Sequence, residues 1–146
     1  MGKSLNELEL SLQAKAIKAI AEMRIDSFLI EKGVEKIEIA ETRRSLAVQM
    51  AYYSRGRMKV EDVQKMYRHA GLYNISEEEA QIKNTWTLDS KHIHGKAVDI
   101  VPVKDGKIWW TAPKEIWQRM GEIGEKYGMI WGGRWKNTPD TPHFEI

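Results

Sequence analysis

Apolar and polar positions change period along the chain, recurring at helical spacing in the first half and alternating in the second. Leu5, Leu8, Leu12, Ala16, Ala19, Ile20 and Met23 form one stripe at the i, i+3, i+4 spacing of an amphipathic helix. This predicts a single long helix over residues 4–32, opened by a Ser4–Glu7 capping pair and stopped by Gly33. Residues 34–41 alternate and predict a strand with one buried face. Ser45 caps a predicted helix from Leu46 to Arg55, carrying Leu46, Met50 and Tyr53. A third helix is expected from Val60 to Ala70, with Val63, Met66, Tyr67 and Ala70 inward, and a short acidic one from Ser76 to Lys83.

From Thr85 the period becomes that of strands. Thr85–Leu88 reads as a short extended segment. Farther on, Ala97, Asp99 and Val101 share one face of a strand while Val98 and Ile100 share the other. Asp105-Gly106 is a hairpin turn signal, with Ile108-Trp109-Trp110 as the returning strand. Pro113 opens a last helix, buried through Ile116, Met120, Ile123 and Tyr127. Met129–Trp131 and His143–Glu145 read as two short strands, separated by a Gly132-Gly133 turn and a loop. Helices early and strands late predict an α+β fold, with N-terminal helices packed on a small, mainly antiparallel sheet. Residues 1–146 are expected to form one domain, since no repeat, low-complexity stretch or linker interrupts them.

Composition narrows the classes. A charged fraction of 30% and an apolar fraction of 42% are ordinary for a water-soluble domain. The net charge of +2 creates no field that calls for nucleic acid, and Arg43, Arg44, Arg55 and Arg57 fit no nucleic-acid motif. No apolar run reaches the roughly 20 residues that span a bilayer, so membrane insertion is not expected. The first residues carry no apolar signal core, which predicts synthesis in a cytoplasm. Cysteine is absent, so any zinc site must use nitrogen and oxygen ligands.

The chemistry concentrates in two stretches, Ser90–Asp99 and Asp140–Glu145. Asp99 lies among Ala97, Val98, Ile100 and Val101, where an unpaired carboxylate is costly. A metal cation compensates such a charge, and so does an arginine. His92 and His143 supply two imidazoles, and Gly95 lets the His92 loop fold back onto the strand. Two histidines and one carboxylate with an open position are the parts of a catalytic zinc site. Asp140, three residues before His143, stands where it can take a proton from an attacking water. Arg44, at a strand-to-helix junction, is available for a substrate carboxylate or an oxyanion, or else belongs to a solvated turn. Trp131 and Trp135 are candidates for the walls of a cleft.

Ser90-x-His92-x-x-Gly95-x-Ala97-x-Asp99 resembles the zinc signature of the D-alanyl-D-alanine peptidases and L-alanyl-D-glutamate endopeptidases, which share a fold with Hedgehog signalling domains. Asp140-Thr141-Pro142-His143-Phe144-Glu145 is similar to the closing motif of the L-alanyl-D-glutamate branch. Glu41–Ser45 with Gln49, Tyr52-Tyr53 and Gly56-Arg57, and Trp131-Gly132-Gly133-x-Trp135, also match that branch. The resemblance covers roughly residues 37–146. It implies zinc (Zn2+) on His92, Asp99 and His143, with Asp140 as general base. Arg44 would bind substrate and Ser90 would give polar support. His94, at a variable position of the pattern, would face substrate or support the ligands.

The resemblance further implies cleavage of the stem peptide of bacterial peptidoglycan, typically by an endolysin of phage or prophage type, and the chain is expected to be a monomer. Such a protein would reach the wall through a holin-type pore, and this chain is expected to depart from the family in being a catalytic domain alone, with no separate wall-binding domain. The chain departs from the pattern at Arg134, where relatives often have Asp, and in a longer 58–84 segment. Other readings of the same residues are a D-alanyl-D-alanine carboxypeptidase, a non-haem iron facial triad, and a non-catalytic zinc-stabilised module.

Overall fold

The computed structural model describes residues 2–146. Leu10–Ile25 form helix α1 and Ser27–Glu31 the short α2. Strand β1 is Lys36–Glu41, followed by α3 (Leu46–Ser54), α4 (Val60–His69) and α5 (Glu77–Ala80). Strand β2 (Ala97–Lys104) turns into β3 (Lys107–Ile108), then come α6 (Lys114–Lys126), β4 (Ile130–Trp131) and β5 (His143–Glu145). The strands lie in the order β1-β2-β5-β4, all pairings antiparallel, with β3 paired to β2. The α+β arrangement expected from the pattern is what the chain adopts.

The main core lies between this sheet and the helices α1 and α6. Leu12, Ala16, Ala19 and Met23 of α1 are buried, as their stripe predicts. Val98, Ile100 and Phe144 meet them from the sheet, fully buried. Each such side chain contributes about 1.5–3 kcal/mol by leaving water. Helix α6 approaches closely because it has no side chain at Gly124, where an added Cβ would stand 2.2 Å from the Phe144 ring. A second, smaller core of Val48, Ala51, Tyr52, Val63, Tyr67, Ile75 and Ala80 joins α3, α4 and α5. Among the described residues no helix is long and apolar enough to cross a membrane.

Several local expectations are corrected. The helix predicted over residues 4–32 is broken at Asp26, whose carboxylate accepts the Leu29 N–H at 3.1 Å and caps a new helix. Before α1 there is only a 3-10 turn, Leu5–Glu7, and Glu7 takes the Thr42 hydroxyl at 2.9 Å instead of closing a capping box. Helix α3 turns Leu46 (56% exposed) and Met50 (44%) outward, because Gln49 and Tyr52 occupy its inner face. Thr85–Leu88 forms no strand, its polar groups being used by Gln49. The strand after the Asp105-Gly106 turn stops at Ile108, and Trp110 swings out. That turn has φ of 54° and 74°, the left-handed pair a tight hairpin needs. Gly132–Arg134 form one 3-10 turn.

Candidate metal centre

Sheet register brings the chemistry together. Glu41 of β1 pairs with Asp99 of β2, and Asp99 pairs with His143 of β5. The three residues form one row across three strands, on the face opposite Val98 and Phe144. A register irregularity between Ile39 and Glu41 re-aims the end of β1 into this row. His92 arrives from the turn before β2. Gly95, at φ 69°, folds that turn against the Glu7 carbonyl so closely that a Cβ would lie 2.9 Å from it. The Arg44 N–H binds the His92 carbonyl at 3.0 Å, locking the turn to the end of β1.

His92, Asp99 and His143 each offer one ligand atom, all within 4.8 Å of one another. Asp99 Oδ1 lies 3.3 Å from His92 Nε2 and 3.4 Å from His143 Nδ1. It is buried and has no hydrogen-bond partner of acceptable geometry. Bonds of 2.0–2.1 Å to a tetrahedral ion put neighbouring ligand atoms about 3.3–3.4 Å apart. The two carboxylate–imidazole edges match that spacing, the three ligand types suit a small divalent cation, and the orphaned oxygen is the atom such a cation would satisfy.

The far nitrogens support the same reading. His92 Nδ1 sits 2.7 Å from the Thr42 carbonyl, and His143 Nε2 sits 2.7 Å from a Glu145 carboxylate oxygen. An imidazole that donates on one side presents a lone pair on the other, the usual arrangement of histidine ligands. Lys91 steadies Glu145 at 3.3 Å. Burial works against the Asp99 charge, yet the two imidazoles hold its carboxyl well below the usual range. Burial likewise opposes a charged His143, but Asp99 and Glu145 outweigh it and raise the imidazole to about 9. A bound cation would take over the balance that this proton provides.

Asp140 stands beside the cluster, its Oδ2 3.9 Å from His143 Nδ1 and its side chain 48% exposed. Partial burial, followed by the nearby Asp99 charge, pushes its carboxyl up. The loop that carries it is fixed by the Asp140 N–H donating to the Gly132 carbonyl at 2.9 Å. Arg44 is tied down. Two of its nitrogens donate to Glu41, at 2.5 and 2.8 Å, a third donates to Gln49 at 2.6 Å, and its guanidinium lies 4.8 Å from the Tyr52 ring centre. Burial disfavours the guanidinium charge, but Glu41 more than offsets it.

These groups line a cleft of about 940 Å³ that also takes in Ser90, Trp135 and residues of the 84–89 segment. Ser90 accepts the His92 N–H at 3.2 Å. The Trp135 ring is 5.1 Å from that of His143. His94 is at the surface, 2.8 Å from Asp89, and is not part of the cluster. Trp131, expected in a cleft wall, is instead a core residue, 5% exposed, with its indole N–H on the Thr141 carbonyl at 2.8 Å. Gly121 and Gly133 leave it no room to turn, since a Cβ on either would fall 2.2 Å from its ring. The sequence reading overlooked Glu145 and Glu41. Glu145 shares a strand face with His143 at i+2, a signal available in the pattern, whereas Glu41 ends a strand and Arg44 lies in the loop after it, so their pairing has no periodic signal. The Thr42 carbonyl carries none.

A family model described as D-alanyl-D-alanine carboxypeptidase matches residues 83–146, the part that holds all three ligand candidates and Asp140. A curated relative, the peptidoglycan L-alanyl-D-glutamate endopeptidase CwlK of Bacillus subtilis, is 30% identical over 141 residues, covering 91% of this chain and 68% of its own length. The chain belongs to the D-alanyl-D-alanine carboxypeptidase family. Its fold recurs in the L-Ala D-Glu endopeptidase ChiX of Serratia marcescens, at 22% identity and a TM-score of 0.52 over 97% of this chain and 82% of that one. It also recurs in a mutant of the vancomycin-resistance D,D-pentapeptidase VanY bound to Zn(II), at 16% identity and a TM-score of 0.54 over 95% and 72%.

Proposed function

We propose that this protein is a zinc-dependent peptidase of bacterial peptidoglycan that hydrolyses the L-alanyl–D-glutamate amide of the stem peptide. The observation that carries the proposal is the convergence of His92, Asp99 and His143 at the floor of an open cleft, with Asp140 at its lip. The identity to CwlK favours this bond over the terminal D-alanyl–D-alanine bond. Zinc on the three ligands would act as a Lewis acid toward the scissile carbonyl and bring the pKa of water toward 7.

The chain's own residues supply the remainder. Asp140 accepts the proton of the attacking water and returns it to the leaving amine. Glu145 and the Thr42 carbonyl fix the two imidazoles in the tautomers that ligation needs. Ser90 shapes the His92 turn. Arg44, its charge matched by Glu41 and its position fixed by Gln49, stiffens the cleft wall and keeps two of its five N–H donors for an oxygen of the substrate.

The endolysin setting belongs to the same proposal. The test is digestion of purified sacculi, with the new chain ends identified by mass spectrometry. New amino-terminal D-glutamate or D-isoglutamine is expected. Free D-alanine as the sole product would replace the endopeptidase by a carboxypeptidase, and no product from a fully zinc-loaded protein would leave a non-catalytic module.

A further inference from the structure

Five aromatic side chains are exposed among the described residues: Phe28, Tyr73, Trp86, Trp110 and Trp135. Four of them, all but Phe28, line the one cleft that contains the metal cluster. The remaining tryptophans, Trp109, Trp117 and Trp131, pack on or within the main core. Exposed indoles are therefore confined to the place where substrate must lie. Three of the four rings are also held in position. Trp135 leans on His143, Tyr73 is bound to the Glu79 carboxylate and packs edge-on to Tyr67 at 5.5 Å, and Trp86 sits under Lys83 and Arg57 at 5.5 and 5.8 Å. The rings so fixed lose little freedom on binding, while Trp110, 57% exposed at the same cleft, offers the accessible indole face.

The stem peptide does not account for these rings. Alanine, glutamate and a diamino acid offer small or charged side chains and little flat apolar area. The sugar to which the peptide is attached does offer one. One face of a pyranose ring exposes a row of C–H groups made slightly positive by their oxygens, and an indole face is negative, so the two stack. The rim of the cleft mixes such faces with hydrogen-bonding groups, including Asn84, Asp89 and Thr138, which a hydroxyl- and acetamido-bearing ring can use. The scissile bond proposed above is only one residue from the lactyl group of the sugar, so a peptide seated over His92 and His143 brings the sugar with it.

We infer that the aromatic rim is a glycan subsite, in which Trp110 and Trp86 stack on the N-acetylmuramoyl unit that carries the stem peptide. The inference rests on the peptidase reading for its substrate, yet it can fail separately. The probes are N-acetylmuramoyl-L-alanyl-D-isoglutamine and N-acetyl-L-alanyl-D-isoglutamine, which keeps the acylated alanine nitrogen and lacks the sugar. Each is titrated calorimetrically into zinc-loaded protein carrying Asp140→Asn. The sugar-bearing probe is expected to bind roughly tenfold tighter or more, the size of one good aromatic stacking contact. Adding Trp110→Ala or Trp86→Ala should cut that advantage about three- to tenfold, and Trp110→Phe should keep part of it.

Equal binding of the two probes overturns the subsite, as does an advantage that survives in both alanine variants. Cleavage by the wild-type protein separates the two proposals. Hydrolysis of both probes with the same kcat/KM keeps the peptidase and removes the subsite. Tighter binding of the sugar-bearing probe with no hydrolysis of either keeps the subsite and removes the peptidase.

Discussion

At the floor of the cleft, Asp99 faces two imidazole nitrogens at 3.3 and 3.4 Å without a proper hydrogen bond to either. One strand away, Glu41 grips Arg44 through two hydrogen bonds, and Arg44 passes a third to Gln49. Both clusters are buried, polar and built on the same row of the sheet. They differ in closure. Around Arg44 a charge meets its opposite and the geometry is complete. Around Asp99 the ligand atoms converge on a point that no protein atom fills. Completed networks rigidify a wall, whereas an incomplete one made of histidine and carboxylate is a demand for a cation. The position of a charged residue in a cleft therefore says little until its partners are counted.

Asp140→Asn should sharpen this contrast most. The substitution leaves all three proposed ligands in place and removes the proposed proton acceptor, so turnover on peptidoglycan should fall by about 10²–10⁴ while zinc content stays at that of the parent. Both are measured on one preparation, by product release and by metal analysis. Loss of metal together with activity would move Asp140 into the ligand set.

Next comes the closed network. Glu41→Ala leaves the Arg44 guanidinium buried and unpaired, which should destabilise the fold by about 3–5 kcal/mol. Denaturant unfolding of the zinc-loaded protein reads this directly. A change within error would mean that Arg44 relaxes into the cleft and that the network is looser than its distances imply.

A smaller effect is expected at Glu145, which touches the open cluster from behind. Glu145→Gln keeps the shape but weakens the support of His143, and zinc affinity should drop about 10–100-fold. Competition with a chelator measures it. An unchanged affinity would leave Glu145 as a partner of Lys91 alone.

Outside the cleft, the smallest effect belongs to Asp26, which is paired with Arg119 at 2.7 Å. The Arg119 hydrogen bonds, against an opposing push from burial, hold the Asp26 carboxyl below its usual range. A depressed folded-state value means the pair stabilises fully above the unfolded carboxylate pKa, near 3.9, and loses that contribution as pH falls through the folded value. Asp26→Asn keeps the helix-capping acceptor, so the difference from wild type isolates the ion pair. With Arg119 partly exposed it should be about 1 kcal/mol or less at neutral pH and vanish in strong acid.

The sequence alone determined the class of the fold and the kinds of chemistry it could host. Periodicity separated helices from strands, because burial of one face imposes its own spacing. The Asp99 carboxylate inside an apolar strand, the flanking histidines and the family signature named the candidate cluster before any coordinate. Tertiary structure decided what no local pattern encodes. The register of β1, β2 and β5 set Glu41, Asp99 and His143 in one row, and cross-strand pairing depends on contacts between segments far apart in the chain. The same packing enclosed Trp131 between glycines of α6 and of the following turn, while leaving Trp110 and Trp86 in the open, although all three are the same residue to a sequence pattern. It also turned Gln49 inward to meet Arg44, against the apolar stripe expected of α3. Side-chain type follows from the chain itself, but whether a group is closed off or left open follows from which neighbours the fold brings to it.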